Sequence, residues 1–253
     1  DKPIIKLKTN LRWLPTDERN LAWRAAALMR ERFSLEGGVF IEIHKQIPVA
    51  AGLAGGSADC AAVLLGMNLL FGLRLSGKQL EELAAQLGSD IPYCLRRGTV
   101  LCEGVGERMT NLRHPCPRGY VVLAKLPVSV STASVYRDLR WQEVAQHPDA
   151  QAMRRAMERG SLSEVGGLLC NVLETVTIPR YPKIAELKQR LLALGAEGAL
   201  MSGSGPTVFG LFQERSAARR AAAVIKREFG IRDVFTTEIY RVSREWKGEK
   251  RNG

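Results

Sequence analysis

Two hydrophobic periods run along the chain, and they mark most of its elements before anything is counted. Val39, Ile41 and Ile43 alternate with Phe40, Glu42 and His44, so residues 39–45 are expected to form a strand with one face inward. Ahead of it, Leu21, Ala25 and Leu28 recur at helical spacing. With Asp17 as its cap, a helix is expected over 17–33, ending before the Gly37-Gly38 break. The chain opens on a strand-like Pro3-Ile4-Ile5-Lys6-Leu7, and an apolar helix rich in Ala and Leu is expected from about Ala58 to Leu70. The next helix is marked at both ends. Ser76 and Gln79 form a capping box, Leu80, Leu83, Ala84 and Leu87 make the buried stripe, and Gly88 suits the position just past the end. Ser89-Asp90-Ile91-Pro92 is expected to be a loop, with the proline biasing Ile91 towards an extended backbone.

Strands are expected at Thr99–Glu103 and Tyr120–Lys125, the second nearly all apolar. From residue 120 the order is strand (120–126), helices (150–172 and 183–194), strand (197–202), short turn, strand (207–212), helix (215–228) and strand (233–240). That is a β-α-β-β-α-β order with extra helices, the signature of a ferredoxin-like half. A domain boundary is expected near residue 126. It divides an N-terminal domain, 1–126, from a C-terminal domain, 127–243, and residues 244–253 are expected to be a solvated tail.

Composition narrows the classes. With 253 residues, 45% hydrophobic and only 6% aromatic, the chain can bury ordinary cores, and its 24 glycines favour an α/β or α+β protein with tight loops. The balance of 37 basic against 26 acidic side chains gives a net charge of +11, which attracts anions without naming one. The basic residues are scattered and no readout motif accompanies them, so no nucleic-acid partner is expected. No stretch approaches the run of ~20 apolar residues that spans a bilayer, so no membrane partner is expected either. The cysteines, at 60, 94, 102, 116 and 170, are odd in number and include no Cys-x-x-Cys. Buried reduced thiols are expected, which suits the cytoplasm.

The strongest chemical signal is Pro48-Val49-Ala50-Ala51-Gly52-Leu53-Ala54-Gly55-Gly56-Ser57-Ala58, between a strand and an apolar helix. Glycines allow backbone to approach a ligand, and a helix N-terminus offers free N–H groups to a negative group. Together these make a phosphate cradle. Ser57 either caps the helix or helps hold a phosphate-bound Mg²⁺. The Gly-Lys-Ser/Thr of P-loop enzymes is absent, and so is a dinucleotide fingerprint. A second glycine-rich element, Met201 to Thr207, lies between two strands. It is either a hairpin turn or, through Gly203, Ser204 and Gly205, a second wall over the phosphates. Asp90 is a candidate base, although an Asp in such a loop also forms turns.

Pro-x-x-x-Gly-Leu-x-Gly-Gly-Ser, as it stands from Pro48, resembles the phosphate loop of the GHMP small-molecule kinases. LPTDERNLAWRAA, LGSDIPYC, GTVLCEGVGERM and MSGSGPTVFGLF also match that family, in order, over about residues 3–243. The resemblance implies a two-domain α+β fold, with an N-terminal half like the second domain of ribosomal protein S5 and a ferredoxin-like C-terminal half. It implies ATP and Mg²⁺ as cofactors, residues 48–58 as the ATP loop and Asp90 as the catalytic carboxylate. Asn20 and Lys45 fall where family members approach the nucleotide base, and Thr132 falls near the alcohol substrate. The loop motif alone also fits members acting on homoserine or mevalonate-like alcohols. The Asp90 context and Glu103-Gly-Val-Gly-Glu107 narrow the match to the branch acting on the 2-hydroxyl of 4-diphosphocytidyl-2-C-methyl-D-erythritol, on the non-mevalonate route to isoprenoids. Monomer and homodimer both stay open. The family's Pro-Ala-Lys strand and Asp-Gly-Tyr-His segment are not in this sequence. The resemblance therefore implies a chain shortened at its N-terminus, with Asp90 lacking its Lys partner and a sheet edge left unpaired. An inactive nucleotide-binding remnant remains the alternative. Lys6 and Lys8 do not match the family's Lys motif and are not assigned to that role.

Overall fold

The computed structural model describes residues 4–104 and 106–241. Pro3, Val105 and the expected tail 244–253 lie outside the described residues. The described residues form two compact units, one of residues 4–49, 54–104 and 106–111, the other of residues 50–53 and 112–241.

The first unit begins with a β-α-β crossover. Strands β1 (Ile5–Thr9) and β2 (Val39–Ile43) pair in parallel, Ile5 opposite Val39, and helix α1 (Leu21–Arg32) connects them. Among the described residues these two strands pair only with each other. Alternation works as expected in β2, where Val39, Ile41 and Ile43 are buried and Phe40 and Glu42 exposed. Helix α2 (Gly55–Leu70) packs against α1, and both present small side chains there: Ala22, Ala25 and Ala26 from α1, Cys60 and Ala61 from α2, all buried. Helix α3 (Gly77–Ala85) carries the expected capping box, with Gln79 N–H donating to Ser76 Oγ at 3.3 Å and Ser76 N–H to Gln79 Oε1 at 2.9 Å. Helix α4 (Ile91–Arg96) and an antiparallel hairpin, β3 (Val100–Glu103) with β4 (Arg108–Asn111), complete the unit.

The second unit is a four-stranded antiparallel sheet. Its strands are β5 (Tyr120–Lys125), β6 (Gly198–Met201), β7 (Thr207–Phe212) and β8 (Val234–Glu238), in the spatial order β6-β7-β5-β8. Chain order 2-3-1-4 with antiparallel neighbours is the ferredoxin-like topology expected from sequence. Helices α5 (Thr132–Asp138), α6 (Ala150–Arg159), α7 (Leu162–Gly167), α8 (Glu174–Arg180) and α9 (Lys183–Ala193) lie between β5 and β6, and α10 (Arg215–Phe229) joins β7 to β8. The near-continuous apolar runs of β5 and β7 follow from coverage on both faces. Val122, Ala124, Val208 and Phe212 enter the core with Ile184, Leu187 and Leu191 of α9 and Ile225 of α10. Val121, Phe209 and Leu211 point the other way, to Ala156 of α6 and Val165 of α7. Gly166 and Gly198 let α7 meet β6 backbone to backbone, because a Cβ on Gly166 would stand 2.2 Å from Glu197 O.

Several expectations are corrected. The first helix starts at Leu21, and its cap is Asn20 rather than Asp17. Asp17 instead accepts from the Arg19 N–H and guanidinium, which hold its carboxyl down at about 2. Helix α2 starts at Gly55, three residues before the expected Ala58, because glycines that allow a turn also allow a first helical turn. The expected loop 89–92 holds the start of α4, so Ile91 is helical rather than extended. Pro92 lies in the first turn, where a missing N–H costs nothing. The expected helix 150–172 is two helices, because Gly160, at φ 69°, closes α6 and Ser161 caps α7. The two units divide between Asn111 and Leu112 rather than near 126, since β5 pairs with β7 and β8.

Candidate functional site

The first glycine-rich loop is strained where it turns into α2. Ala50, Gly52 and Ala54 take left-handed φ values of 52°, 70° and 49°. Two of the three are not glycine, at a cost of about 1 kcal/mol or more each. Ala54 occupies the N-cap position of α2 and has no side chain to accept from the helix. The N–H groups of Gly55, Gly56 and Ser57 therefore open the helix without a cap. Ser57 is inside the first turn and does not cap it, which removes one of its two expected roles.

A cation stands beside this helix start. The Lys45 side chain is only 5% exposed and pairs with Asp59 Oδ2 at 2.7 Å. Its Nζ lies 3.1 Å from where a Cβ on Gly55 would be, and Ile47 Cγ2 lies 2.9 Å from the same point. Glycine at 55 is thus required by close approach. Asn10 fixes the Lys45 backbone from both sides, accepting its N–H at 2.8 Å and donating to its carbonyl at 3.2 Å. Sequence reading missed Asn10, because its partner lies across the β1–β2 pair. Uncapped N–H groups, the helix dipole and a buried ammonium favour an anion at the α2 N-terminus.

Asp90 is exposed and directly precedes α4, at φ −86° and ψ −13°. Its carboxylate caps nothing, and Ser89 Oγ lies 3.5 Å from its Oδ1. The turn-forming alternative therefore does not occupy this side chain. The chain also passes close by at Gly106, where a Cβ would stand 3.6 Å from Ser89 O. Asn20 is engaged elsewhere, with Oδ1 accepting from Ala22 N–H at 3.0 Å and Nδ2 donating to Pro15 O at 2.8 Å.

In the second unit, the loop after β6 is a hairpin connection that does more than turn. Ser202 Oγ donates to Gly52 O at 2.7 Å, so this loop holds the tip of the first one, residues 50–53. A Cβ on Gly52 would stand 2.3 Å from Ser202 O and 3.1 Å from Gly205 O. Ser204, nearly buried, shares a 2.8 Å hydroxyl–hydroxyl bond with Thr132 Oγ1 at the start of α5. The residues expected as phosphate wall and as substrate contact thus meet. Beneath the loop, Asn171 Nδ2 donates to Met201 O and to Gly203 O, each at 2.8 Å. Glu174 Oε1 accepts from Met201 N–H at 2.8 Å, and Thr177 Oγ1 donates to Ser204 O at 3.3 Å. Nothing local in the sequence singles out these three supports.

Among the described residues no cluster of three or more His, Cys, Asp or Glu could hold a metal, and no helix is long and apolar enough to cross a membrane. Burial pushes the Cys60 thiol up to about 12 and the Cys94 thiol to about 11, so neither is a nucleophile near neutrality. Of the buried thiols expected, only Cys60 is buried; Cys94, Cys116 and Cys170 are half-buried and Cys102 is exposed.

Residues 20–98 match the family model described as the GHMP kinases N terminal domain, and residues 150–231 match GHMP kinases C terminal. A 4-diphosphocytidyl-2-C-methyl-D-erythritol kinase of Lachnoclostridium phytofermentans is 49% identical over 219 residues, 87% of this chain and 75% of that protein. The chain belongs to this kinase family, within the GHMP kinases. A crystal structure of a 4-(cytidine 5'-diphospho)-2C-methyl-D-erythritol kinase superposes with a TM-score of 0.77 at 34% identity, covering 94% of this chain and 83% of that one. A homoserine kinase from Cytophaga hutchinsonii also superposes at 0.77, with 24% identity, 94% of this chain and 82% of that one covered. The two-domain GHMP fold is therefore common to both kinases, and the sequence separates the branches.

Proposed function

We propose that this chain transfers the γ-phosphoryl group of ATP to the 2-hydroxyl of 4-diphosphocytidyl-2-C-methyl-D-erythritol. The observation that carries the phosphate half of this reading is the uncapped, strained start of α2 with the buried Lys45 ammonium beside it. Family membership at 49% identity carries the substrate half. Phosphoryl transfer needs positioning and charge stabilisation rather than covalent chemistry, and these residues supply both kinds of group.

In this reading Pro48 to Ala58 wrap the phosphates, with Gly55, Gly56 and Ser57 N–H groups and Lys45 Nζ holding their charge. Gly203, Ser204 and Gly205 are assigned to phosphate contact as well, and Thr132 to the alcohol. Asp90 accepts or orients the hydroxyl proton, since its carboxylate caps nothing in α4 and accepts from Ser89 Oγ only at a long 3.5 Å. Asn20 contributes by fixing the turn from Pro15 into α1, the use its amide already has. Mg²⁺ fits as an ion carried largely by phosphate oxygens, since such sites need only one or two protein oxygens, and Ser57 Oγ and the Asp90 carboxylate are the candidates. When bound it neutralises phosphate charge. In this reading the residues ahead of β5 correspond to the ATP-binding domain and those from β5 onward to the C-terminal domain.

The test is coupled ADP release with Mg-ATP and 4-diphosphocytidyl-2-C-methyl-D-erythritol, homoserine or mevalonate as acceptor. Turnover is expected with the first alcohol alone, in a chain that also carries the family's Pro-Ala-Lys and Asp-Gly-Tyr-His segments. Asp90→Asn is expected to lower it by about 100-fold or more while Mg-ATP binding persists. A chain that carries those segments and binds Mg-ATP yet phosphorylates none of the three alcohols overturns the transferase reading.

A further inference from the structure

Two polar loops meet in the second unit, and the underside of one is held by side chains with no other evident task. Asn171 donates both amide hydrogens to the loop after β6, to Met201 O and Gly203 O, while its Oδ1 accepts Leu173 N–H at 3.0 Å and so fixes its own rotamer. Between those two carbonyls lies Ser202, whose Oγ donates to Gly52 O at 2.7 Å. The contact is close on the backbone side too, because a Cβ on Gly52 would stand 2.3 Å from Ser202 O. Neither end of Ser202 can shift without moving residues 50–53. The support is stiff, since Glu174 binds Met201 N–H and is itself ion-paired to Lys188 at 2.5 Å, with both side chains mostly buried.

We propose that Asn171 is a positioning residue for the nucleotide. It fixes the 201–205 loop, and through Ser202 that loop fixes the tip of the phosphate loop. The proposal rests on residues 48–58 being the ATP loop. Asn171 touches neither the tip nor any reacting atom. It acts by removing the freedom of a loop that would otherwise drag Gly52 with it. Pre-organising a binding loop lowers the ordering cost that the ligand meets, so its loss appears as weaker binding of that ligand alone.

Calorimetric binding of Mg-ATP and, separately, of 4-diphosphocytidyl-2-C-methyl-D-erythritol tests this on the full chain. The variants are Asn171→Asp, Ser202→Ala and the double variant. Asn171→Asp keeps the shape but sets a carboxylate against two carbonyl oxygens. It is expected to weaken Mg-ATP binding about tenfold and leave the alcohol unchanged. Ser202→Ala keeps every bond to Asn171 and is expected to act in the same direction. The double variant is expected to be no weaker than the worse single one, since both cut one chain of contacts. Fully additive losses, or equal losses for both ligands, overturn the relay. So does an Mg-ATP Kd unchanged by Asn171→Asp. If Asn171→Asp does not melt cooperatively, Ser202→Ala decides, and an unchanged Kd there overturns it as well. An unsubstituted chain that binds no Mg-ATP overturns the ATP-loop reading and the relay with it.

Discussion

The two glycine-rich loops of this chain use the same residue types to opposite ends. The loop at 48–58 leaves polar groups unspent. Its helix has no capping side chain, two of its alanines sit in left-handed backbone, and the nearest cation is a buried lysine held by a single carboxylate. The loop at 201–207 spends nearly everything it has. Carbonyls at 201, 203 and 204 accept side-chain bonds, Ser202 and Ser204 hydroxyls are engaged, and Gly205 N–H closes on Ser202 O at 2.9 Å. Glycine content alone does not tell these two loops apart. What distinguishes them is whether donors remain free once the protein has satisfied its own.

The sharpest way to break this contrast is at Lys45. Lys45→Met removes the cation beside the free N–H groups and leaves Asp59, 25% exposed, without its partner. A stability loss of ~2–3 kcal/mol is expected, below the full cost of an orphaned buried charge because Asp59 keeps some water, and Mg-ATP binding should weaken by about tenfold or more. Denaturant unfolding and calorimetry read the two effects. If both stay unchanged, the first loop is not a charge site. A smaller effect of opposite sign is expected in the second loop. Thr207 is fully buried and its Oγ1 finds no partner, so Thr207→Val removes an orphan hydroxyl from a strand position that suits Val. A gain of about 1 kcal/mol is expected in the same unfolding measurement. A loss would mean that this hydroxyl too is spent.

The smallest effect lies outside both loops. Arg19 lowers the Asp17 carboxyl from 3.8 to about 2, so this pair adds stability above the unfolded value that is lost as pH falls through the folded one. Asp17 is fully exposed, and salt screens the pair. Asp17→Asn should therefore flatten the melting temperature against pH only slightly between those two values, and less still at high salt.

What the sequence made legible was periodic or contiguous. The alternation of Val39, Ile41 and Ile43 gave β2 its inner face, and Ser76 with Gln79 gave α3 its start, because both signals act within a few residues. The β-α-β-β-α-β order carried the topology of the second sheet. Where two local signals competed, the wrong one could be favoured. Asp17 and Asn20 are both good caps, and the choice fell to Asn20 because Asp17 is taken by Arg19. Pro92 fits a loop and a first helical turn equally well, and Ile91, fully buried, decides for the helix. Strand β4 has little apolar pattern of its own. It is held by β3 and by Arg96 Nη1, which donates to Met109 O at 2.6 Å while the same guanidinium pairs with Glu81.

The sequence by itself therefore determined most of the elements, the ferredoxin-like order and the glycine-rich loop ahead of α2, since these depend on side-chain period, caps and glycines in immediate succession. Tertiary structure alone decided that Lys45 faces Asp59 beside Gly55, that Asn10 clasps Lys45, and that Asn171, Glu174 and Thr177 stand under the 201–205 loop. The physical reason is range. A hydrophobic period is written in neighbouring residues, whereas a hydrogen bond has directional partners that exist only after distant segments have been brought to within about 3 Å.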